Sequence, residues 1–395
     1  MCNASAGTAL RCEGMSEGVR RPARDAALAL FLCGDVMLGR GVDQILPHPG
    51  NPVLYERTVR DARTYVDLAA RVNGRIQHPV HWSWPWGDAL PLLTAADCDA
   101  RIINLETSIT TSDDYAKGKA VHYRMNPANV AALAAVQPDV CVLANNHVLD
   151  FGRSGLLETL EALAASGLRA AGAGPSQREA RSPAVVPIPR TGGRVLVFAF
   201  GSPSSGIPYG WAATDDLPGV RLVPALTEAA ADDLCRHMRD VRQPGDLTVV
   251  SAHWGSNWGY RVDTDQVRFA HRLIDGGVDL VHGHSSHHPR PLEVYQRKLI
   301  LYGCGDLVDD YEGIGSHKEF RDDLRLLYLP RLDPRSGELL ELHMAPLQAR
   351  QMRLHRAVSG DARWLRRVLD KISRRFGSRV DLGPDGLLTL RSSSR

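Results

Sequence analysis

Short apolar runs alternate along the chain with stretches in which apolar residues recur at helical spacing. The alternation begins at about residue 26 and is typical of an α/β fold. The apolar runs predict strands over Ala29–Cys33, Ala100–Asn104, Val140–Ala144, Val195–Phe200, Leu247–Ala252, Leu280–His282 and Leu299–Tyr302. The helical stretches predict helices over Asn129–Val136, Ser154–Ser166, Leu226–Val241, Thr264–Gly276 and, late in the chain, Ala362–Phe376.

Polar clusters follow most of these predicted strands. They are Gly34-Asp35, Asn104-Leu105-Glu106, Asn145-Asn146-His147, His253-Trp254-Gly255 and Gly283-His284. Loops at the carboxyl ends of strands converge in one crevice of an α/β sheet, and ligands bind there. The sequence therefore predicts one composite polar site that draws on five strand ends.

A histidine-rich segment, His282-Gly283-His284-Ser285-Ser286-His287-His288, follows one of these strands. Together with His253 and the two carboxylates it offers the mixed oxygen and nitrogen ligands that suit Zn, Mn or Fe. Two divalent metals also need a bridging carboxylate, and a histidine that is not a ligand can protonate a leaving oxygen. The alternative is a solvated or hydrogen-bonded loop without metal.

Composition narrows the class of protein. The 395 residues carry 47 Lys+Arg and 45 Asp+Glu, a formal net charge of +2, with 44% hydrophobic residues. This balance excludes a disordered tail protein and gives no sign of a nucleic-acid binder. The seven cysteines are scattered singly, which favours reduced thiols, and no apolar run is long enough to cross a membrane. We expect a cytoplasmic protein.

Two segments allow a second interpretation. The basic residues before the first strand, followed by Cys33, imitate a lipoprotein signal, but cleavage there would leave Gly34-Asp35 at the terminus, so a core strand is favoured. The Arg-rich late helix, with Arg366, Arg367, Arg374 and Arg375, is either a solvated face or a peripheral contact with a membrane or an acidic polymer.

Two loops also allow more than one interpretation. The Trp-rich loop His81–Gly87 is either a lid or substrate platform, or a satellite core that packs an insertion onto the domain. Gly172 and Gly174, followed by Ser176, resemble a phosphate loop loosely, and a helix capped by Ser176 with Glu179 three residues on is the simpler account.

Five ordered motifs resemble the CapA family, whose members are associated with poly-γ-glutamate or capsule biosynthesis. The motifs are Gly34-Asp35-Val36-Met37-Leu38-Gly39-Arg40, Asn104-Leu105-Glu106, the segment Ala144–Gly152, His253-Trp254-Gly255 and the segment Asp279–Pro289. The resemblance runs from about Ala27 to about Leu347 and is greatest to the actinobacterial branch described as polyglutamine synthesis accessory proteins. It implies a calcineurin-like metallophosphoesterase fold, an α/β protein with a β-sandwich flanked by helices.

The resemblance also implies roles for individual residues. Two divalent metal ions, Mn, Fe or Zn, would be held by Asp35, Glu106, Asn146, His253, His284 and His287. Asp35 would bind the first metal, Glu106 would bridge, and Asn146 and His253 would bind the second. His147 would be the proton donor, oriented by Asp150. The implied partner is a glutamate or glutamine polymer, or the synthetase complex that makes it.

The chain departs from the family pattern at three places. Val36-Met37 follows Asp35 where the usual Asp-x-His pair has its second ligand, and Asn257 stands where the family has Glu. The run His284-Ser285-Ser286-His287 is longer than the usual His-Pro-His, which leaves open whether His282, His284 or His288 faces the metal. One strong and one weak metal site are therefore conceivable.

Two arginines and three segments complete the expectations. Arg40 and Arg290 could clamp a phosphate or carboxylate, the alternative being ordinary salt bridges. We expect a disordered leader over residues 1–25, a CapA-like metallophosphoesterase domain over 26–350 and a C-terminal helical extension and tail over 351–395.

The favoured function is a metal-dependent hydrolase in polymer biosynthesis or processing. A non-catalytic accessory scaffold of a polymer synthetase and a phosphodiesterase of another pathway are the alternatives.

Overall fold

Strands and helices alternate through the computed structural model, which describes Met1 and residues 27–314 and 317–392. The leader expected over residues 1–25 lies outside the described residues apart from Met1. The strands are β1 (Leu28–Val36), β2 (Ala100–Leu105), β3 (Ser108–Ile109), β4 (Arg124–Met125), β5 (Val140–Val142), β6 (Arg169–Ala171), β7 (Ala173–Gly174), β8 (Ala184–Ile188), β9 (Gly193–Gly201), β10 (Gly219–Val220), β11 (Leu247–His253), β12 (Leu280–His284), β13 (Leu292–Tyr295), β14 (Lys298–Leu301), β15 (Asp306–Val308), β16 (Leu324–Leu332), β17 (Leu339–Arg350), β18 (Arg353–Arg356), β19 (Ser378–Leu382) and β20 (Leu388–Ser392). The helices are α1 (Arg40–Ile45), α2 (Arg63–Asn73), α3 (Ala89–Ala96), α4 (Val130–Ala134), α5 (Gly152–Ala165), α6 (Gln177–Arg181), α7 (Glu228–Val241), α8 (Thr264–Asp275) and α9 (Ser359–Ser373).

Two large sheets dominate the described part of the chain. The first has ten strands, with the main order β19-β20-β17-β16-β1-β2-β5-β6, while β15 pairs with β1 and β18 with β17. The second has six strands in the order β13-β14-β12-β11-β9-β8. Strands β1, β2, β5 and β6 run parallel, as do β9, β11, β12 and β14. Each parallel set therefore brings its carboxyl ends to a common edge.

Side-chain alternation on the strands builds three apolar layers. Leu28, Leu30 and Leu32 of β1 face the second sheet, where they share one core with residues such as Val195 and Val197 of β9. The opposite faces of the two sheets are covered by helices: Phe31 and Cys33 join the layer beneath α1–α5, and Leu196, Phe198 and Phe200 join the layer beneath α7 and α8. Period-two alternation thus gives each strand two buried faces. The expected α/β sandwich flanked by helices is confirmed.

The Trp-rich loop packs as a satellite core. Trp86 is fully buried and donates from Nε1 to the Ala132 carbonyl oxygen at 2.6 Å. Trp84 donates to the Gln351 carbonyl oxygen at 3.0 Å, and the Arg353 guanidinium lies 4.9 Å from its ring centre. These contacts join the insertion to β18, so the packing interpretation of this loop describes it better than a lid does.

The C-terminal segment contains more than the expected helix. Helix α9 is present, and β18, β19 and β20 accompany it, with β20 pairing antiparallel to β17 at His343 and Thr389. Val380 and Leu388 are buried in the core between the sheets. The boundary placed at residue 350 therefore falls inside one continuous sheet, because the short apolar alternations after residue 377 are strands. None of the helices in the described ranges has the length and apolar character needed to cross a bilayer.

Asp370 of α9 provides a test of how this segment is attached. It is 3% exposed and accepts hydrogen bonds from Arg374 at 2.7 Å, Arg379 at 2.7 Å and the Val380 backbone at 3.2 Å. Burial alone would raise the pKa of Asp370, but the hydrogen bonds from Arg379 and Arg374 outweigh it and lower that pKa.

We expect Asp370→Asn to lower the free energy of unfolding by about 1 kcal/mol at neutral pH, since charge-assisted hydrogen bonds are lost. A depressed carboxyl pKa contributes stability above the unfolded pKa, so the deficit should shrink as the pH falls below about 4. Urea denaturation at several pH values measures both effects. Asp381→Asn is the matched control, because Asp381 is paired at the surface with Arg391. Equal deficits in the two variants would contradict the expectation.

Candidate metal centre

The carboxyl ends of β1, β2 and β5 meet those of β11 and β12 at one edge of the sandwich. Asp35 lies at the end of β1, opposite Asn104 of β2 on one side and Asp306 of β15 on the other. The approach of β15 is close enough to require a glycine, because a Cβ at Gly34 would lie 1.5 Å from the Gly305 carbonyl oxygen. That oxygen accepts from the Asp35 backbone N–H at 3.0 Å. The Gly-Asp motif is thereby fixed by backbone geometry as well as by its charge.

Asp35 is common to two groups of possible metal ligands. One group is Asp35, His253 and His284, and the other is Asp35, His287 and Asp306; within each group one ligand atom per residue lies within 4.8 Å of the others. Carboxylate oxygens and imidazole nitrogens in this mixture are ligands for Zn, Mn or Fe. The shared residue in the structure is therefore Asp35, whereas the resemblance assigned the bridging role to Glu106.

The carboxylates of the site repel one another in a buried setting. Burial, and then the charge of Asp306, raises the pKa of Asp35 to about 7. Burial, and then the charge of Asp35, raises the pKa of Glu106 well above its ordinary value. Asn104 relieves part of this repulsion by donating from Nδ2 to Asp35 at 2.7 Å and to Glu106 at 3.2 Å. A divalent cation would offset the remaining negative charge, so the donor set fits such an ion.

The imidazoles of His253 and His284 face each other, with their Nδ1 atoms 2.8 Å apart. Burial lowers the pKa of both rings well below the ordinary value, so both are neutral at pH 7. Neutral imidazole is the form that binds metal. The Nε2 atom of His253 lies 3.0 Å from Oδ1 of Asn146 and 3.8 Å from Oε1 of Glu106, which brings both predicted ligands beside this group.

Hydrogen bonding separates the remaining histidines of the run. Nε2 of His282 donates to the Cys33 carbonyl oxygen at 2.7 Å, and Nδ1 accepts from the Ser251 hydroxyl at 3.1 Å. Nδ1 of His288 donates to the Pro289 carbonyl oxygen, and the ring stacks on Phe320 with centroids 4.5 Å apart. Neither His282 nor His288 belongs to the two ligand groups. The geometry therefore leaves His284 and His287 as the candidate ligands of the run.

Asp306 is a site residue that the sequence analysis missed. Its carboxylate contacts Nδ1 of His287 at 3.0 Å, and it is 1% exposed. It stands beside Asp35, which makes it a candidate for the donor that Val36-Met37 does not supply. Asp306 follows the Gly303-Cys304-Gly305 turn after β14, so the strand-end argument used for the other clusters could have found it.

His147 and Asp150 are paired as expected, with Nδ1 of His147 2.6 Å from Oδ2 of Asp150. Burial lowers the pKa of His147 to about 4, although Asp150 raises it. Burial alone would raise the pKa of Asp150, but His147 and Lys119 outweigh it and lower that pKa. The ionised carboxylate of Asp150 then accepts a hydrogen bond from Nδ1–H of His147, and Nε2 faces Glu106 across 3.8 Å. His147 is thus neutral, with its free nitrogen on the site.

Lys119 is the cation of this site. Its ammonium contacts Asp150, the Asn146 carbonyl oxygen and, at 3.2 Å, Nδ1 of His147. It lines a cavity of about 240 Å³ together with Glu106, Asn146, His147, His253, Asn257, Ser285, His287 and Tyr311. Lys119 lies in an irregular segment without hydrophobic period, which is why pattern analysis did not find it. The sequence distinguished Lys119 only by the rarity of lysine, which occurs five times in the chain.

The two predicted arginine clamps lie elsewhere. Arg40 is buried and bonded to Asp310, to Glu56 at 2.9 Å and to the Tyr65 hydroxyl at 3.2 Å. Arg290 is buried and donates to the carbonyl oxygens of Arg261 at 2.8 Å and Ser256 at 2.6 Å. Neither lines the cavity. Both guanidinium groups are committed to internal partners, which the local sequence could not show.

Comparison with known proteins assigns the chain to a family. Residues 29–311 match the family described as bacterial capsule synthesis protein PGA_cap. The chain belongs to the PGA_cap family. Its membership confirms the resemblance drawn from the five motifs and the metallophosphoesterase type of the fold.

Relatives of this PGA_cap protein are named for polymer synthesis. It is 56% identical over 363 residues to a probable polyglutamine synthesis accessory protein from Mycobacterium tuberculosis, across 91% of this chain and 95% of that protein. It is 26% identical over 287 residues to the PGA biosynthesis protein CapA from Bacillus subtilis, across 72% of this chain and 64% of that protein. The capsule biosynthesis protein CapA from Bacillus anthracis is 25% identical over 288 residues, across 72% of this chain and 60% of that protein.

We expect Asp306→Asn to reduce metal content without unfolding the protein, because the amide keeps the shape of the carboxylate and removes its charge. A loss of about tenfold or more in affinity for Mn²⁺ or Zn²⁺ is expected by analogy with other altered metal sites. Titration of the chelator-treated protein measures it. Asp279→Asn is the control: Asp279 is also buried, but it bonds Thr248 at 2.9 Å and Lys298 at 2.6 Å at the opposite end of β12. Metal affinity equal in both variants would remove Asp306 from the site.

Proposed function

We propose that this protein acts in the biosynthesis or processing of a poly-γ-glutamate or polyglutamine cell-envelope polymer as a metal-dependent hydrolase of the metallophosphoesterase type. The observation that carries the proposal is Asp35, buried between two groups of nitrogen and oxygen donors. The names of the relatives support the pathway, and the family supports the fold. A cytoplasmic location and a synthetase partner belong to the same proposal.

The donor set suggests how two divalent ions would be held. One would lie among Asp35, His253 and His284, with Asn146 and Glu106 beside it, and the other among Asp35, His287 and Asp306. Such ions supply Lewis acidity towards a phosphoryl or acyl oxygen and activation of water. The identity of the ion, Mn, Fe or Zn, is part of the proposal, as is the count of two.

His147 would move the proton of the reaction. Asp150 fixes its ring by accepting from Nδ1–H, and Lys119 in turn pairs with Asp150, so Nε2 is the atom that exchanges a proton with the cavity. Because the imidazole is neutral, Nε2 accepts a proton before it can deliver one to a leaving group. Lys119 borders the cavity and would attract an anionic substrate. The proposed roles of His147 and Lys119 rest on the positions of their side chains.

One contact favours the accessory-scaffold alternative. Asn257, which stands where the family has Glu, lies 2.9 Å from Nε2 of His287, while Nδ1 of His287 is bonded to Asp306. The neutral Asn257 amide offers a cation no charge where a Glu would, as expected of a weak second metal site. A scaffold for a polymer synthetase would need no second ion. A phosphodiesterase of another pathway would keep both metal ions.

The metal prediction is tested on the purified protein by inductively coupled plasma mass spectrometry. We expect about two equivalents of Mn, Fe or Zn, falling to about one in the Glu106→Ala/His253→Ala double variant because the first group loses His253 and the carboxylate beside it. His271→Ala is the matched control, since His271 lies on α8 and pairs with Glu293 away from the site. Unchanged metal content in the double variant would reject the proposed centre. Absence of metal in the wild type after reloading would favour the scaffold.

The hydrolase prediction uses the metal-loaded protein with phosphoesters and γ-glutamyl amides as substrates. We expect His147→Gln to lower kcat by about 10²–10⁴-fold, the usual contribution of general acid–base catalysis, while metal content stays unchanged. His317→Gln, a change at an exposed ring on the surface, is the control. A fully loaded wild-type protein inactive on both substrate classes would replace the hydrolase by the scaffold. Activity on phosphodiesters alone would favour the other pathway.

A further inference from the structure

A second cavity lies between α6, α7 and the segment from Ala212 to Val223. Its volume is about 170 Å³, and its lining shares no residue with the cavity of the metal centre. Apolar side chains, among them Ala180, Val223 and Leu234, form much of its wall. The sequence pattern singles out only Gly172-x-Gly174 and Ser176 near this region, and Ser176 does cap α6 by accepting from the Arg178 backbone. The function proposed above makes no use of this cavity.

Arg221 is the unusual residue of this wall. It is 7% exposed, and within the described ranges its guanidinium forms no ion pair. Its one hydrogen bond runs from Nη1 to the Arg181 carbonyl oxygen at 3.4 Å, the limit of such a contact. Burial lowers the pKa of Arg221 only to about 10, so the group stays charged at neutral pH. A buried cation without a paired anion is costly, and such groups normally have a counterion.

The nearest carboxylate is already occupied. Asp233, which also lines the cavity, accepts from Arg181 at 2.8 Å and lies 3.5 Å from Arg236. Both of those arginines are partly exposed at the outer rim. The lining of the cavity therefore includes two guanidinium groups, those of Arg181 and Arg221, and one carboxylate. The cavity carries net positive charge, and Arg221 forms no ion pair with the carboxylate.

The backbone fixes Arg221 in this position. Its N–H donates to the Gly172 carbonyl oxygen at 2.8 Å, and its own carbonyl oxygen accepts from Gly201 at 2.9 Å. Gly172 follows β6 and Gly201 ends β9, so Arg221 is held between the two sheets at the same edge as the metal centre. The main chain of Arg221 is thus fixed before any ligand binds, and burial limits the conformations of its side chain, which lowers the entropic cost of binding.

We propose that this cavity is a binding site for a small anion, a carboxylate or phosphate group, paired with Arg221. The planar guanidinium suits both groups because each presents two oxygens to its parallel N–H donors. The apolar wall would receive a short hydrocarbon portion of a carboxylate ligand. This inference is independent of whether the metal centre is catalytic.

The test titrates inorganic phosphate and, separately, L-glutamate into the full-length protein, followed by calorimetry and by thermal unfolding. We expect at least one of the two anions to bind and to raise the Tm. In Arg221→Gln we expect affinity to fall about tenfold or more, the loss of a charge-assisted pair. Without anion, that variant should unfold at or above the wild-type temperature, because it no longer buries an unpaired charge.

Arg236→Gln is the matched control, since Arg236 lies on α7 beside the same Asp233 but is 64% exposed. Its anion affinity should match the wild type within about twofold. If Arg221→Gln does not fold, Arg181→Gln serves instead, and weaker binding is expected because Asp233 is then less neutralised. Binding of phosphate alone or of glutamate alone identifies the ligand class. No binding of either anion, or affinity unchanged in the Arg221 or substitute variant, as for an anion at the metal centre, would overturn the proposal.

Discussion

Negative charge buried between two sheets is the constraint around which this molecule is built. Asp35, Asp306 and Glu106 approach one another where water is largely excluded, and a carboxylate in such a place needs donors or cations nearby. Asn104 donates to Asp35 and Glu106, and the charges of Lys119 and His287 favour the ionised carboxylates. Burial and mutual repulsion still raise the pKa of Asp35 and of Glu106, so a divalent cation would stabilise the cluster further.

The sandwich positions this cluster by joining its two sheets at the same edge. His282 of the second sheet donates from Nε2 to the Cys33 carbonyl oxygen of the first sheet and accepts at Nδ1 from the Ser251 hydroxyl, so a buried ring bridges β12 and β1. Gly34 lets β1 and the turn before β15 approach each other within backbone contact. Small shifts between the sheets would therefore change the distances among ligands from both. The geometry of the site therefore depends on the rigidity of the core between the sheets.

Much of this arrangement could be predicted from the sequence because its signals are local. Each long parallel strand has an apolar run ending in a polar residue, so the pattern alone is enough to group Asp35, His253 and His284. Asp306 was missed because its strand has three residues and follows a glycine turn. Arg40 and Arg290 bond to partners that are distant in sequence, such as Asp310 for Arg40, and no local sequence pattern carries that information. Strands β19 and β20 alternate apolar and polar residues instead of forming the continuous apolar runs that marked the predicted strands.

The pairing of β20 with β17 determines when the molecule can complete its interior. Leu365, Leu369, Val380 and Leu388 enter the same apolar layer as Leu30 of the first strand. These residues follow β17 in the chain, so during synthesis the layer between the sheets stays open to solvent until they have left the exit tunnel. During that interval β17 has a free edge of the kind that pairs with other chains.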